Sequence, residues 1–96
     1  MKIHNNQTII GLRPETQLAI RVADLWYRLF DQELEVTWTT GGNHMVGSLH
    51  PKRRAFDSIL PKIKVEEIAQ GIRITMGPEY DVIVEKDHLH VEWDPK

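Results

Sequence analysis

Residues 82–93 carry the sequence VIVEKDHLHVEW, in which two apolar runs are joined by a short charged connection. Runs rich in β-branched residues and only a few residues apart are typical of an antiparallel β-hairpin. Because successive side chains of a strand point to opposite faces of its sheet, the apolar residues of the second run are expected on the core side. The other face then carries His88, His90 and Glu92 together.

The segment from Pro14 to Phe30 predicts the main helix. Pro14 suits the first helical turn, where the N–H that proline lacks would have no partner. Apolar residues then recur at steps of three and four, which predicts one stripe that packs on the core. The stripe consists of Leu18, Val22, Leu25, Trp26 and Leu29.

Several shorter elements surround this helix. Residues 34–39 alternate with a period of two and predict a strand, and residues 55–60 are expected to return to the sheet. Residues 65–72 fit a second short helix, which Gly77 and Pro78 end, and residues 8–10 are a candidate edge strand.

A chain of 96 residues can supply one hydrophobic core, so we predict a single α+β domain over residues 1–96. A small antiparallel sheet is expected to carry the histidines on one face, with the one main helix, Pro14 to Phe30, packed on the other. The longest irregular stretch, residues 40–54, is expected to carry function, because long loops on small domains often do.

Composition narrows the classes of function. Twelve Lys and Arg against fourteen Asp and Glu give a net charge of -2, which argues against a nucleic-acid partner. No apolar stretch approaches the roughly 18 residues of a membrane helix, and the N-terminus lacks the features of a signal peptide. We therefore expect no membrane insertion, a cytoplasmic location at synthesis and a monomer. With no cysteine in the chain, any metal would be bound by His, Asp and Glu.

A second polar cluster stands far from the hairpin in sequence. It comprises Ser48, His50 and Asp57, with Asp57 seven residues after His50. A hydrolytic zinc site needs three nitrogen or oxygen ligands and one open position. His50, Asp57 and one histidine of the pair His88 and His90 would supply such a set.

Residues 42–57, GNHMVGSLHPKRRAFD, and residues 84–92, VEKDHLHVE, resemble the LAS-type zinc peptidases of bacterial cell walls and phages. That family includes D-alanyl-D-alanine carboxypeptidases, dipeptidases and phage endolysins that cut the peptide stems of peptidoglycan. Hedgehog signalling domains share its fold. Its pattern is Ser-x-His, six residues, Asp, and then a distant acidic-x-x-His. The resemblance implies a hedgehog-like or DD-peptidase-like fold for this chain.

The resemblance also implies roles for individual residues. Zinc would be bound by His50, Asp57 and His90, with Asp87 as the general base and His88 near the reacting carbonyl. Apart from the resemblance, the hydroxyl of Ser48 is a candidate to hydrogen-bond a zinc ligand.

A second register of the same motif is open, because Glu85-x-x-His88 has the same spacing. It would make His88 the ligand and Glu85 the base. His44 either touches substrate or is an ordinary loop residue. Arg53 stands where the family has glycine, and it or Arg54 would replace the arginine that many relatives use to stabilise the oxyanion, unless both belong to a solvated basic loop.

The function expected from this resemblance is zinc-dependent hydrolysis of a peptidoglycan stem peptide or muropeptide, of the endolysin or carboxypeptidase type. Access to the cell wall would then need phage-style release through a separate membrane protein, unless the substrate is a cytosolic muropeptide. The alternatives are a zinc-binding interaction module without turnover and a metal-free structural domain with a polar histidine face.

Overall fold

Five strands form one mixed β-sheet in the computed structural model, which describes residues 1–4, 9, 11–39 and 53–95. The elements in chain order are β1 (Lys2–Ile3), α1 (Pro14–Leu29), β2 (Glu35–Thr39), β3 (Ala55–Ile59), α2 (Val65–Met76), β4 (Tyr80–Val84) and β5 (His88–Trp93). The strand order is β1-β2-β3-β5-β4. β5, which carries the two histidines, therefore lies inside the sheet between β3 and β4.

The predicted α+β domain is confirmed, but the sheet is mixed rather than antiparallel. β1 runs parallel to β2, whereas the other neighbouring strands are antiparallel. The two residues of β1 are too few to show a strand period, so no sequence pattern predicts this strand. Of the predicted edge strand over residues 8–10, only Ile9 lies within the described residues, and it is in no strand.

The main helix forms where it was predicted, with Pro14 in its first turn and Phe30 as the C-terminal cap. Its predicted core stripe is wrong at three of five positions, because Leu18, Leu25 and Leu29 are 53%, 60% and 70% exposed. The other two members are confirmed, since Val22 is buried and Trp26 packs against the core cluster. The buried residues of α1 are Thr16, Ala19, Ile20, Val22, Ala23 and Tyr27. Most of them also recur at steps of three and four, and the small ones let the helix backbone approach the sheet. Counting only large apolar residues placed the centre of the stripe too far round the helix, and it missed the small residues Ala19 and Ala23.

The second helix begins at Val65 and ends before Gly77, as predicted, and it also packs on the sheet. Ile68, Ala69 and Ile72 of α2 are fully buried. Gly77 caps its C-terminus with φ at 87°, in the region that favours glycine. Two helices therefore cover one face, where the sequence predicted one main helix, and neither described helix is long and apolar enough to cross a membrane.

The core lies between these helices and one face of the sheet. Phe56, Leu89 and Val91, from the central strands, are 0–1% exposed and belong to the buried cluster. The predicted hairpin is confirmed as β4 and β5, and the alternation along β5 leaves the histidines on the face without helices.

Candidate functional site on the open face of the sheet

The centre of the open face is a row of four side chains on four adjacent strands. Asp57 of β3 lies directly opposite His90 of β5, which in turn lies opposite Ile83 of β4. On the other side, Trp38 of β2 lies opposite Asp57, next to a register shift between Val36 and Trp38. Trp38 and Ile83 are 42% and 43% exposed. An acid–imidazole pair is therefore flanked by two exposed apolar side chains.

The neighbouring row holds the second histidine. His88 lies opposite Ile59 of β3, and its backbone oxygen accepts a hydrogen bond from the Glu85 N–H across the hairpin. Since strand residues two apart share a face, His88 and His90 point to the same side of the sheet. The sequence prediction that both histidines share one surface is confirmed.

Carboxylates and imidazoles alternate along a chain of contacts on this face. His90 Nδ1 lies 2.7 Å from Asp57 Oδ1, and His90 Nε2 lies 3.1 Å from Glu92 Oε1. The second oxygen of Asp57, Oδ2, is 3.8 Å from Nε2 of His88, while Nδ1 of His88 is 2.7 Å from Asp87 Oδ1. Asp57 thus interacts with both histidines and is the centre of the arrangement.

These contacts favour the protonated form of both imidazoles. The hydrogen bond to Asp57 is the largest cause that raises the pKa of His90 to about 9; partial burial opposes it and Glu92 supports it. The hydrogen bond to Asp87 is the largest cause of the raised pKa of His88, with smaller contributions from the charges of Asp57, Asp87 and Glu85. The same hydrogen bond lowers the pKa of Asp87. In the metal-free protein at neutral pH, both nitrogens of His90 therefore donate.

The structure brings together part of the predicted metal site. Asp57 and His90, which lie 33 residues apart in sequence, are in hydrogen-bond contact. The third predicted ligand, His50, lies outside the described residues, as do Ser48 and His44. Within the part of the chain that the structure describes, no three His, Asp or Glu side chains form a complete metal-binding group.

The donor atoms of the described pair fit zinc in chemical type. Zn²⁺ in catalytic sites is bound by imidazole nitrogen and carboxylate oxygen, commonly with three protein ligands. Asp57 and His90 offer one atom of each kind on adjacent strands. The pair can hold two positions of such a site, and a third donor has to come from another part of the chain.

The two candidate bases occupy different positions in the hairpin. Asp87 lies in the turn, its side chain is 85% exposed and its carboxylate contacts His88. Glu85 follows β4 directly and lies opposite His88. Asp87 thus contacts His88, and Glu85 pairs with His88 through the backbone, whereas His90 contacts Asp57 and Glu92.

Arg53, which stands where the resembled family has glycine, keeps the backbone conformation that glycine favours. Its φ is 58°, and its carbonyl oxygen accepts hydrogen bonds at 3.0 Å from the backbone N–H of Arg13 and the hydroxyl of Thr16. The guanidinium of Arg53 donates to the carbonyl of Gly11 at 3.3 Å. Arg53 thus joins β3 to the N-terminus of α1. The neighbouring Arg54 guanidinium stacks 5.1 Å from the ring centre of Trp93.

Sequence reasoning missed the roles of two open-face residues. Glu92 was placed on this face but was given no function, although its position two residues after His90 puts the two side chains side by side. Trp38 was assigned only to a strand, because no sequence pattern predicts the register shift that brings it opposite Asp57.

In comparisons with known proteins, the chain matches no protein-family model, no curated protein and no solved structure.

Proposed function

We propose that this protein is a zinc-dependent peptidase that hydrolyses a peptide bond in peptidoglycan stem peptides. The observation that carries the proposal is the contact between Asp57 and His90, 2.7 Å apart on the open face of the sheet. These are two of the three residues that the LAS-type pattern assigns to zinc. Random placement of two residues so distant in sequence would seldom put both donor atoms in contact on an accessible face.

In this proposal, zinc is bound by His50, Asp57 and His90. When bound, zinc polarises a carbonyl group and lowers the pKa of water to about 7, which supplies a nucleophile at neutral pH. The chain itself orients the substrate and moves protons. His88, held by Asp87 at one ring nitrogen, directs its other nitrogen towards Asp57 and the centre of the site. From there it can donate a hydrogen bond to the reacting carbonyl.

The exposed apolar side chains on either side of the pair suit a peptide substrate. Trp38 and Ile83 are separated by three strand spacings, roughly 14 Å, which is about the length of four residues of extended peptide. A peptide lying across the strands would place its scissile bond over Asp57 and His90 and its flanking groups on these two side chains.

The experiment combines zinc binding with a cleavage assay. Purified protein is expected to bind about one equivalent of zinc, and His50→Ala, Asp57→Ala and His90→Ala should each abolish tight binding. His4→Ala is the matched control, since His4 also contacts a carboxylate, Glu35, at the edge of the sheet. Unchanged zinc affinity in the Asp57→Ala and His90→Ala proteins would contradict the proposed site.

Cleavage is measured by mass spectrometry of fragments released from purified peptidoglycan. Asp87→Asn and Glu85→Gln separate the two registers: the variant that removes the general base should keep zinc while turnover falls ~100-fold to ~10,000-fold. In the Asp87 register, His90→Ala loses the metal. In the Glu85 register, His88→Ala loses it.

One specific observation favours the second candidate, a zinc-binding module without turnover. The carboxylate of Asp87 is engaged by His88, and its side chain is mostly exposed to solvent. If the zinc-loaded protein releases no fragment from stems or crossbridges, the binding module replaces the peptidase.

A further inference from the structure

Glu92 is the only side chain besides Asp57 that contacts the imidazole of His90 among the hydrogen bonds of the described residues. It lies two residues along the same strand, and its Oε1 is 3.1 Å from Nε2, the ring nitrogen on the far side from Asp57. His90 is thus held at both nitrogens by two carboxylates of different strands. The peptidase proposal uses Asp57 as a ligand and gives Glu92 no task.

The two ring nitrogens of a neutral histidine are chemically distinct. One carries the proton and donates, while the other has the lone pair and can bind a metal. The groups that hydrogen-bond to the ring decide which of the two nitrogens carries the proton. A carboxylate can only accept, so it selects the tautomer whose N–H points at it.

We propose that Glu92 is a positioning residue that holds His90 in the Nε2–H tautomer, with the lone pair of Nδ1 directed at the Asp57 side for zinc. This inference rests on the proposed zinc site. Without zinc, Asp57 accepts a hydrogen bond from Nδ1–H of His90 at 2.7 Å. Zinc on Nδ1 would replace that proton, so Glu92 is then the carboxylate placed to accept from Nε2–H. Glu92 and Asp57 together restrain the orientation of the ring, since they contact its two different nitrogens.

The zinc dissociation constant tests this role. It is measured by competition with a chromogenic chelator for the wild-type chain, Glu92→Ala and Glu92→Gln. Loss of such a partner typically weakens metal binding 10-fold to 100-fold, and we expect this loss for Glu92→Ala. Glu92→Gln keeps an oxygen that accepts from Nε2–H, so its affinity should recover to within about 5-fold of wild type.

Glu35→Ala is the matched control. It removes a carboxylate from a second histidine, because Glu35 Oε1 lies 2.9 Å from His4 Nε2, at the edge of the same sheet. Zinc affinity should not change. Far-ultraviolet circular dichroism and thermal unfolding of each variant show whether the sheet is intact. Glu92→Ala with wild-type zinc affinity would overturn the inference while leaving the zinc site standing.

A second measurement observes the ring directly. Two-dimensional ¹⁵N–¹H correlation of the histidine rings reports which nitrogen carries the proton. In the zinc-loaded wild-type chain, His90 should be in the Nε2–H form with this proton protected from solvent exchange, and Glu92→Ala should lose the protection. A zinc-loaded wild type with the His90 proton on Nδ1, or equal exchange rates in the two proteins, would contradict the role of Glu92 alone. A wild-type chain that binds no zinc would contradict the peptidase proposal together with this inference.

Discussion

The two faces of the sheet are built from alternate residues of the same strands, yet they hold opposite kinds of side chain. On the covered face, Phe56 and Leu89 are fully buried beneath the helices. On the open face, their chain neighbours Asp57 and His90 form a polar contact that remains partly accessible. The hydrophobic core and the candidate site thus lie on opposite faces of the same strands. Substitutions on the two faces should therefore affect different measurements.

The largest effect is expected from Phe56→Ala on the covered face. This substitution removes a fully buried aromatic ring from the core cluster and leaves a cavity, so the free energy of unfolding should fall by about 3–5 kcal/mol. Ile83→Ala on the open face is the matched control, because Ile83 is 43% exposed, and it should cost less than about 1 kcal/mol. Urea denaturation measures both, and equal losses would contradict the separation of the two faces.

A polar contact lies on the covered face between Tyr27 and β3, and Tyr27→Phe should break it. The Tyr27 hydroxyl donates to the carbonyl of Ile59 at 2.8 Å, and Ser58 Oγ lies 3.2 Å from the same hydroxyl. Burial raises the pKa of Tyr27 to about 12, so the hydroxyl remains a donor at neutral pH. Its loss leaves these groups without that partner, and we expect a destabilisation of about 1–2 kcal/mol by urea denaturation.

Tyr27→Phe requires a control that lacks the buried partner. Tyr80→Phe also removes a hydroxyl that donates to a backbone carbonyl, that of Glu15 at 3.0 Å, but Tyr80 is only partly buried. It should cost less than Tyr27→Phe. If Tyr80→Phe were the more damaging of the two, burial would not be what makes the Tyr27 contact important.

The open face should make stability depend on pH. The pKa of His90 is about 9 in the folded zinc-free protein, above its ordinary value of 6.5. The folded state then binds the proton more tightly, so its contribution is fully present below pH ~6.5 and is lost as pH rises through ~9. Because the site is half open to solvent, we expect about 1–2 kcal/mol rather than the full equivalent of the pKa shift.

This pH dependence is measured by urea denaturation with a chelator present, at several pH values between 6 and 10. The raised pKa of His88 acts in the same direction, through its contacts with Asp87 and Asp57. His90→Gln should flatten most of the dependence. A wild-type chain whose stability rises over this interval would show that the acid–imidazole contacts do not form in solution.

Much of the fold could be predicted because the decisive signals are local. The alternation along residues 88–93 assigns each side chain to a face, and Pro14 and Gly77 mark the beginning of one helix and the end of the other. The pairing of β1 with β2 could not be predicted, because two residues carry no period and parallel pairing depends on distant contacts. The prediction that the leucines of α1 are buried was wrong for a related reason. Spacing identifies a stripe of residues, but not which side of the helix packs on the sheet.

The candidate site was predictable to the extent that it depends on the strand period and on the residue spacing of the family that the chain resembles. Asp57 lies closer to His90 than to His88 because of the pairing register of β3 with β5. No feature of the sequence specifies this register. The hydrogen bond between His90 and Glu92 belongs to the same class, because it depends on side-chain conformation.

The smallest expected effect concerns Arg53, which joins β3 to the N-terminus of α1. Arg53 has φ at 58°, a conformation that costs a non-glycine residue about 1–2 kcal/mol. Glycine avoids this strain, but it loses more conformational entropy on folding, which costs about 0.5–1 kcal/mol. Arg53→Gly should therefore stabilise the fold by about 0.5–1 kcal/mol, even though it loses the exposed contact with the Gly11 carbonyl. Arg13→Gly is the control, since Arg13 has φ at -57° and gains no relief, so it should destabilise. Thermal unfolding compares the two. A loss of stability in Arg53→Gly would mean that the guanidinium, and not the backbone, is what holds β3 to the N-terminus of α1.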